Sequence, residues 1–220
     1  MTKQVIIFGL GDNSQIAHFY LSQDKEYEVV AFTLDKGYLK DTEFAGKPVV
    51  EFETLPRRYD PKLYKLFIPI GYTETNKVRE TKFLQGKSMG YDFISFVSPD
   101  AFVASNVEIG ENCFVLENNT VQPFVKIEEN CILWSGNHIG HHSIIRKNCF
   151  ISSQVVIAGG CDIGQNSFLG VNATLRDHIR VGKYNIIGMG AVIAGPTRDF
   201  NVFIDQPTPL SSRSSKEVKL

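Results

Sequence analysis

CILWSGNHIGHHSIIRKNCFISSQVVIAGGCDIGQNSFLG, residues 131–170, returns an aliphatic side chain every six positions: Leu133, Ile139, Ile145, Ile151, Ile157, Ile163 and Leu169. Worked outward, the series runs back through Ile127, Val121, Val115, Ile109 and Val103 to Val97. It runs forward through Leu175, Val181 and Ile187 to Ile193. Seventeen consecutive hexads begin with Ile, Leu or Val without one insertion, which chance composition does not produce. The fifth position is mostly small, as at Ala101, Ser143, Ser167 and Ala173, and all four cysteines (Cys113, Cys131, Cys149, Cys161) fall on it. With no C-x-x-C pair, they read as small buried fillers rather than a zinc or redox motif. Asn119 and Asn137 break the fifth-position rule eighteen residues apart and are expected to stack in neighbouring coils.

A large aliphatic alternating with a small residue around a six-residue unit is the hexapeptide pattern of a parallel β-helix. Resemblance to known hexapeptide proteins implies a left-handed coil with three flat faces and eighteen residues per turn. The hexads then make about 5.7 coils, roughly 27 Å of prism at ~4.8 Å per rung. Since parallel crossovers are otherwise right-handed, the hand rests on that resemblance.

The first ninety-two residues carry no hexad. "QVIIFGLGDNSQIAHFYL" reads as a strand, a Gly-containing turn and an amphipathic helix. "YEVVAFTLD" reads as a second strand ending at Asp35 and "YKLFIPIGY" as a third ending at Gly71, with residues 74–88 helix-compatible. This is a small parallel α/β unit of Rossmann type. Gly9-Leu10-Gly11-Asp12-Asn13-Ser14 is a partial dinucleotide fingerprint, with Ser14 where the third glycine is expected. By itself it fits a tight strand-to-helix turn equally well, although free amides at a helix N-terminus suit a phosphate. Asp35 and Gly71 are expected to line the same crevice. Three segments follow: 1–92 as a Rossmann-like domain, 97–198 as the β-helix, and 199–220, Pro/Ser-rich and off the hexad, as a C-terminal tail.

A net charge of −1 and a pI near 6.5 leave no basic footprint for nucleic acid or an acidic membrane surface. The opening apolar run is too short for a signal peptide, and no stretch approaches the roughly 20 residues of a membrane span, so a cytoplasmic protein is expected.

Three of the five histidines, His138, His141 and His142, lie within five positions. Hexad phase points Ile139 and Ser143 inward, sets His141 and His142 on the outside of a coil, and leaves His138 near a corner. Gly159 and Gly160, one coil on, are expected to leave open space beside the imidazoles. A metal site needs three converging ligands, which adjacent residues on one flat strand supply poorly. A zinc lyase of the kind found among some β-helix carbonic anhydrases stays open as one alternative, and a non-catalytic nucleotide-sugar-binding protein as another.

The joining of these two parts resembles the bacterial nucleotide-sugar acyltransferases, a family with bacillosamine and perosamine N-acetyltransferases and sialic acid O-acetyltransferase-like proteins. The resemblance spans the chain to about residue 197 and is most specific over "GNHIGHHSII…CFISSQVVIAGGCDIGQNSFLGVNATLRDHI". "WSGNHIGHHS" is most similar to enzymes that acetylate dTDP-4-amino-4,6-dideoxyglucose. It implies an acetyl-CoA-dependent N-acetyltransferase acting on a nucleotide-linked 4-amino-deoxy sugar for surface polysaccharide, with O-acetylation as the alternative and no metal. It implies a homotrimer with acetyl-CoA in grooves between subunits. The family's general base falls on His141, with His142 beside it where Glu or Asp is common. Acetyl-CoA contacts fall on Phe150, Val171 and Met189, with Gly159 next to the base. Nucleotide-sugar contacts fall on Gly11, Asp12, Asn13, Asp35 and Gly71, with Asn137 and His138 as further candidates to position the sugar. Phe150 replaces a histidine of some relatives, and "DQPTPLSSRSS" replaces the usual Gly-x-Pro-Ala ending, which departs from the family at the adenine end.

Overall fold

In the computed structural model, which describes residues 2–204 and 210–212, each hexad contributes one two-residue strand whose second residue is the repeating aliphatic. Every strand pairs in parallel with those one coil away, as Thr120–Val121 pairs with Phe102–Val103 and with His138–Ile139. Three stacked parallel sheets result, of seven, six and five strands. We label them faces A, B and C in chain order, starting at Phe96–Val97, Phe102–Val103 and Glu108–Ile109. Because side chains alternate along a strand, the repeating aliphatics point inward, and from Val115 to Ile193 they are buried in one core. The four cysteines lie in this core as free thiols. Those of Cys113, Cys131 and Cys149 each donate to a carbonyl of the next coil at 3.2 Å.

The turns between faces share one backbone device. The fourth hexad position has φ between 53° and 78° at every repeat from Asn112 to Gly190. Left-handed backbone favours Gly and Asn, and Asn112, Asn118, Asn130, Gly136, Asn148, Gly160, Asn166, Asn172 and Gly190 occupy it. His142 sits at the same kind of corner, with φ 59°. His138 does not: it lies in a face B strand, half-buried, so the expected corner position is corrected to mid-face. Asn119 and Asn137 do occupy neighbouring coils, and both side-chain amides donate to the Trp134 carbonyl between them.

The prism also outlasts its regular repeats. Val202–Phe203 pairs with Ile186–Ile187 as a last rung of face A, so the expected tail boundary at 199 falls too early. Residues 205–209 and 213–220 of that tail lie outside the described residues.

The N-terminal part comprises β1 (Lys3–Phe8), α1 (Asp12–Gln23), β2 (Tyr27–Leu34), β3 (Glu43–Phe44), β4 (Lys47–Glu51), β5 (Tyr64–Phe67) and α2 (Lys77–Ser88). The sheet order is β3-β4-β2-β1-β5, parallel except for the β3–β4 hairpin, which the sequence reading did not contain. Val5 and Ile7 of β1 pack with Ala17 and Leu21 of α1 against Phe96, Phe114, Ile132 and Phe150, the outward row of face A. Ile6 and Phe8 pack on the other side with Leu66 and Phe83. Each fully buried aromatic of this kind contributes ~1.5–3 kcal/mol by leaving water. Face A is thus covered. Face C carries Glu108, Lys126, Asp162 and Arg180 outward, whereas face B presents Phe102, Thr120, His138, Val156, Thr174 and Val192, with Arg176, next after Leu175, as its single exposed charge among the described residues. Among the described residues no helix is long and apolar enough to cross a membrane.

Polar contacts join the two parts at the edge where face C turns into face A. Arg79 of α2 is fully buried and pairs with no carboxylate among the described residues. Its guanidinium donates instead to the carbonyls of Ile70, Gly71, Asn130, Asn148 and Cys149 and to Asn76 Oδ1, at 2.8–3.2 Å. Beside it the left-handed corner asparagines form a ladder: Asn112 donates to Asn130, Asn130 to Asn148 and Asn148 to Asn166. One end exchanges two hydrogen bonds with the backbone of Ile68 and the other donates to Glu80. Burial pushes the Arg79 guanidinium down to about 10, still protonated at neutral pH. Replacing Arg79 by Met strands several buried carbonyls and is expected to cost about 3–5 kcal/mol. Urea unfolding followed by the fluorescence of Trp134, the single tryptophan, packed beside this interface, measures it; a loss under about 1 kcal/mol contradicts the anchoring role.

Candidate active site

Third- and fourth-position residues line the edges of the prism in columns one coil apart. Where face B turns into face C, the third-position column holds His141, Gly159 and Asp177 and the fourth holds Phe124, His142, Gly160 and His178. His141 and His142 are both exposed. The His141 backbone N–H donates to Gln122 Oε1 at 2.9 Å, and His142 stacks on Phe124 with ring centroids 4.6 Å apart. The two rings meet at Nδ1 to Nδ1, 3.1 Å apart and nearly perpendicular. Such a contact needs one donor and one acceptor, so one ring carries its proton on Nδ1 and the other does not. When His141 is the donor, its Nε2 keeps a free lone pair.

The expected open space at Gly159 and Gly160 is corrected by the structure. A Cβ on Gly159 would lie 2.7 Å from His141 Cε1 and 2.8 Å from its Nε2, so the imidazole itself fills the notch. A Cβ on Gly160 would collide with Nδ1 of the His178 ring, which the sequence pattern does not single out. The glycines are seats for imidazoles. Among the described residues no group of three or more His, Cys, Asp or Glu is placed to share a metal.

A second site opens at the carboxyl ends of β1 and β5, where the sheet order reverses direction. A cleft of about 460 Å³ there is lined by Gly9, Gly11, Asp12, Asn13, Gly71 and Tyr72 among others. Gly9 turns with φ 101°, and the Ser14 hydroxyl tucks beneath it to donate to the Phe8 carbonyl at 3.0 Å. Ser14 therefore occupies the space that a third glycine leaves empty. α1 begins at Asp12 without a side-chain cap, so its first amides face the cleft unpaired by the helix. Gly11, Asp12, Asn13 and Gly71 come together as expected. Asp35 does not: it pairs with Lys82 of α2 at 2.6 Å and lies off the cleft lining.

Other expected contacts separate. Val171 and Met189 are exposed in one third-position column where face A turns into face B. Phe150 is buried under the N-terminal part, against Tyr72 at 5.0 Å and Phe168 at 5.8 Å, so it offers this column no surface. Asn137 is buried and bonded to the backbone of Trp134 and Val155, a core role rather than a sugar contact. The larger separation concerns the two sites themselves. The cleft stands over face A, and His141 stands on the edge between faces B and C, the one edge that face A does not touch.

No curated protein sequence matches the chain. Residues 94–195 match the family model described as the GMPPB C-terminal domain. Among solved structures, the acetyltransferase domain of PglB from Neisseria gonorrhoeae aligns with a TM-score of 0.84 and 21% identity over 95% of this chain and 100% of that one. The same domain in complex with acetyl coenzyme A aligns with a TM-score of 0.82 and 20% identity over 96% and 100%. PerB from Caulobacter crescentus, in complex with CoA and GDP-perosamine, aligns with a TM-score of 0.82 and 24% identity over 93% and 95%. At these identities the likeness shows one fold shared along nearly the whole chain.

The imidazole contact is testable directly. ¹⁵N spectra of the neutral rings are expected to show one of the two protonated at Nδ1 and the other at Nε2. Two rings both protonated at Nε2 contradict the contact. Gly159→Ala forces the His141 ring to move; because only the end of a flexible side chain must shift, the expected cost to stability is under about 1 kcal/mol.

Proposed function

We propose that this chain is an acetyl-CoA-dependent N-acetyltransferase acting on a nucleotide-linked 4-amino-deoxy sugar. The observation that carries the reading is the presence of both an uncapped helix N-terminus in a switch-point cleft and an exposed imidazole pair in Nδ1-to-Nδ1 contact on the prism. The full-length likeness in fold to PerB, solved with CoA and GDP-perosamine, supports it.

The α1 amides hold a diphosphate, and Asp12 and Asn13 present polar side chains to sugar or ribose hydroxyls. His142 Nδ1 accepts from His141 Nδ1–H, the part a carboxylate takes in relatives, and leaves His141 Nε2 as the base. The neutral sugar amine attacks the thioester carbonyl, and His141 removes a proton from the attacking nitrogen. As the tetrahedral adduct collapses, the C–S bond breaks and the imidazolium returns that proton to the departing CoA thiolate. Overall one amide and one thiol form, with no net proton released and no covalent enzyme intermediate. Val171 and Met189, in one exposed column, offer apolar contacts to the pantetheine arm.

The active assembly is a homotrimer, with the coil left-handed and residues 1–92 serving as the nucleotide-sugar grip. Face B, which carries one charge, Arg176, where face C carries many, supports this: turned toward a threefold axis parallel to the prism, it brings the A–B edge of each copy against the B–C edge of the next. His141 of one copy then faces the Val171–Met189 column and the N-terminal part of its neighbour, which resolves their separation within one chain.

CoA release is expected when the protein meets acetyl-CoA and a dTDP-, UDP- or GDP-linked 4-amino sugar. No release with any of them contradicts the reading. His141→Asn is expected to lower kcat by about 10²–10³-fold with little change in KM; full kcat removes the base assignment.

A further inference from the structure

One polar cluster is not used by the chemistry above. On the A–B edge, Glu117 accepts hydrogen bonds from Tyr20 Oη and Ser135 Oγ, both at 2.6 Å. Its carboxylate is half-buried and pairs with no Lys, Arg or His among the described residues, a costly arrangement for a lone anion. Burial pushes its pKa up, but the Ser135 and Tyr20 hydroxyls outweigh that and hold it below the ordinary carboxylate range. Burial and the Glu117 bond push the Tyr20 phenol up to about 12, so the pair stays phenol and carboxylate across the neutral range. The Glu117 backbone N–H adds to the two hydroxyls, and a carboxylate with about four acceptor sites keeps room for one more donor.

Glu117 looks into a cavity of about 330 Å³ walled by Ile16, Phe19, Tyr20, Leu116 and Trp134, within the size range of small-molecule sites. Phe19 is 61% exposed, so the wall is open to a ligand. The cavity is also in line with the cleft. Asp12, Gln15, Ile16, Phe19 and Tyr20 share one face of α1; the first lines the cleft and the rest line the cavity. The cavity residues lie ~5–12 Å along the helix from Asp12 at 1.5 Å per residue, the region a pyranose reaches when its phosphate is held at the helix N-terminus. Glu117 and Ser135 also head the third-position column that continues through Ser153, Val171 and Met189. That column spans roughly 19 Å over four rungs.

We infer that this cavity is the amino-sugar subsite and that Glu117 is its specificity residue, binding the sugar's ammonium, which gives up one proton to solvent before the neutral amine attacks, while the aromatic walls take the apolar face of the ring. The inference rests on the transferase reading. It places the sugar nitrogen between Glu117 of one copy and His141 of the next, at the head of the acyl-donor column. Recognition of the charged amine by a fixed carboxylate also favours an amine over a hydroxyl as acceptor.

The test is binding without turnover. For whichever of the dTDP, UDP or GDP series binds, Trp134 fluorescence compares the 4-amino-4,6-dideoxy sugar with its 4-hydroxy counterpart at neutral pH. The wild type is expected to prefer the amino sugar at least tenfold, and Glu117→Gln to abolish the preference while binding the 4-hydroxy sugar as before. Tyr20→Phe, which keeps the carboxylate, weakens both ligands alike and keeps the preference, separating charge from packing. Equal wild-type affinities, a preference that survives Glu117→Gln, or no binding in any series overturns the inference. A Glu117-dependent preference without CoA release fails the transferase reading and leaves the subsite standing. CoA release with unchanged KM in Glu117→Gln does the reverse.

Discussion

A guanidinium buried without a counter-ion is the constraint on which the two halves of this molecule depend. Arg79 is satisfied only when carbonyls from two coils of the prism and from the Ile70–Gly71 loop converge on it. A buried charge surrounded by dipoles tolerates little slippage, because each lost acceptor leaves the cation and its former partner less solvated than in water. The same loop forms one lip of the cleft. The orientation of the cleft on the prism is therefore set by one side chain and by the asparagine ladder running beside it.

That docking covers face A and fixes what the other faces can do. Face C is laced with charge: Arg146 bridges Asp162 and Glu128, and Lys126 reaches Glu108. Face B carries Arg176 as its single charge among the described residues, with the imidazoles along one of its edges and the Glu117–Met189 column along the other. Within one chain the proposed base and the proposed substrate grip cannot meet across the filled prism core. In the proposed trimer, three copies closed around face B bring the two edges together, so that assembly and catalysis become one requirement.

Much of this was legible in the sequence, and what was missed has a physical reason. The hexad gave the β-helix because inward positions tolerate only aliphatic and small side chains. The fourth position carries an equally regular signal, Asn or Gly at most corners, but it reports backbone φ and not burial, so a hydrophobic pattern does not contain it. The ladder of Asn112, Asn130, Asn148 and Asn166 was thus overlooked in favour of Asn119 and Asn137, which bond to backbone instead. Gly159 suggested a groove because sequence shows a missing side chain but not the ring that moves in. Phe150 and Asp35 lie apart from the exposed column and the cleft for a different reason: each is held by a partner from α2 or its flanking loop, a tertiary event that no local pattern announces. Glu117 looked like any surface carboxylate, since Tyr20 lies ninety-seven residues away.

The central claim is that the site is shared between copies, and mixed assemblies test it most directly. Gly11 has open space where a side chain would go and an ordinary φ of −79°, so Gly11→Glu folds and sets a carboxylate against the diphosphate. Neither that variant nor His141→Asn is expected to be active alone. Unfolded together and refolded in equal amounts, they are predicted to recover about a quarter of wild-type activity, the fraction of interfaces that join an intact cleft to an intact histidine. No recovery in assemblies shown to contain both chains would place the cleft and histidine of each site on one chain and contradict the account.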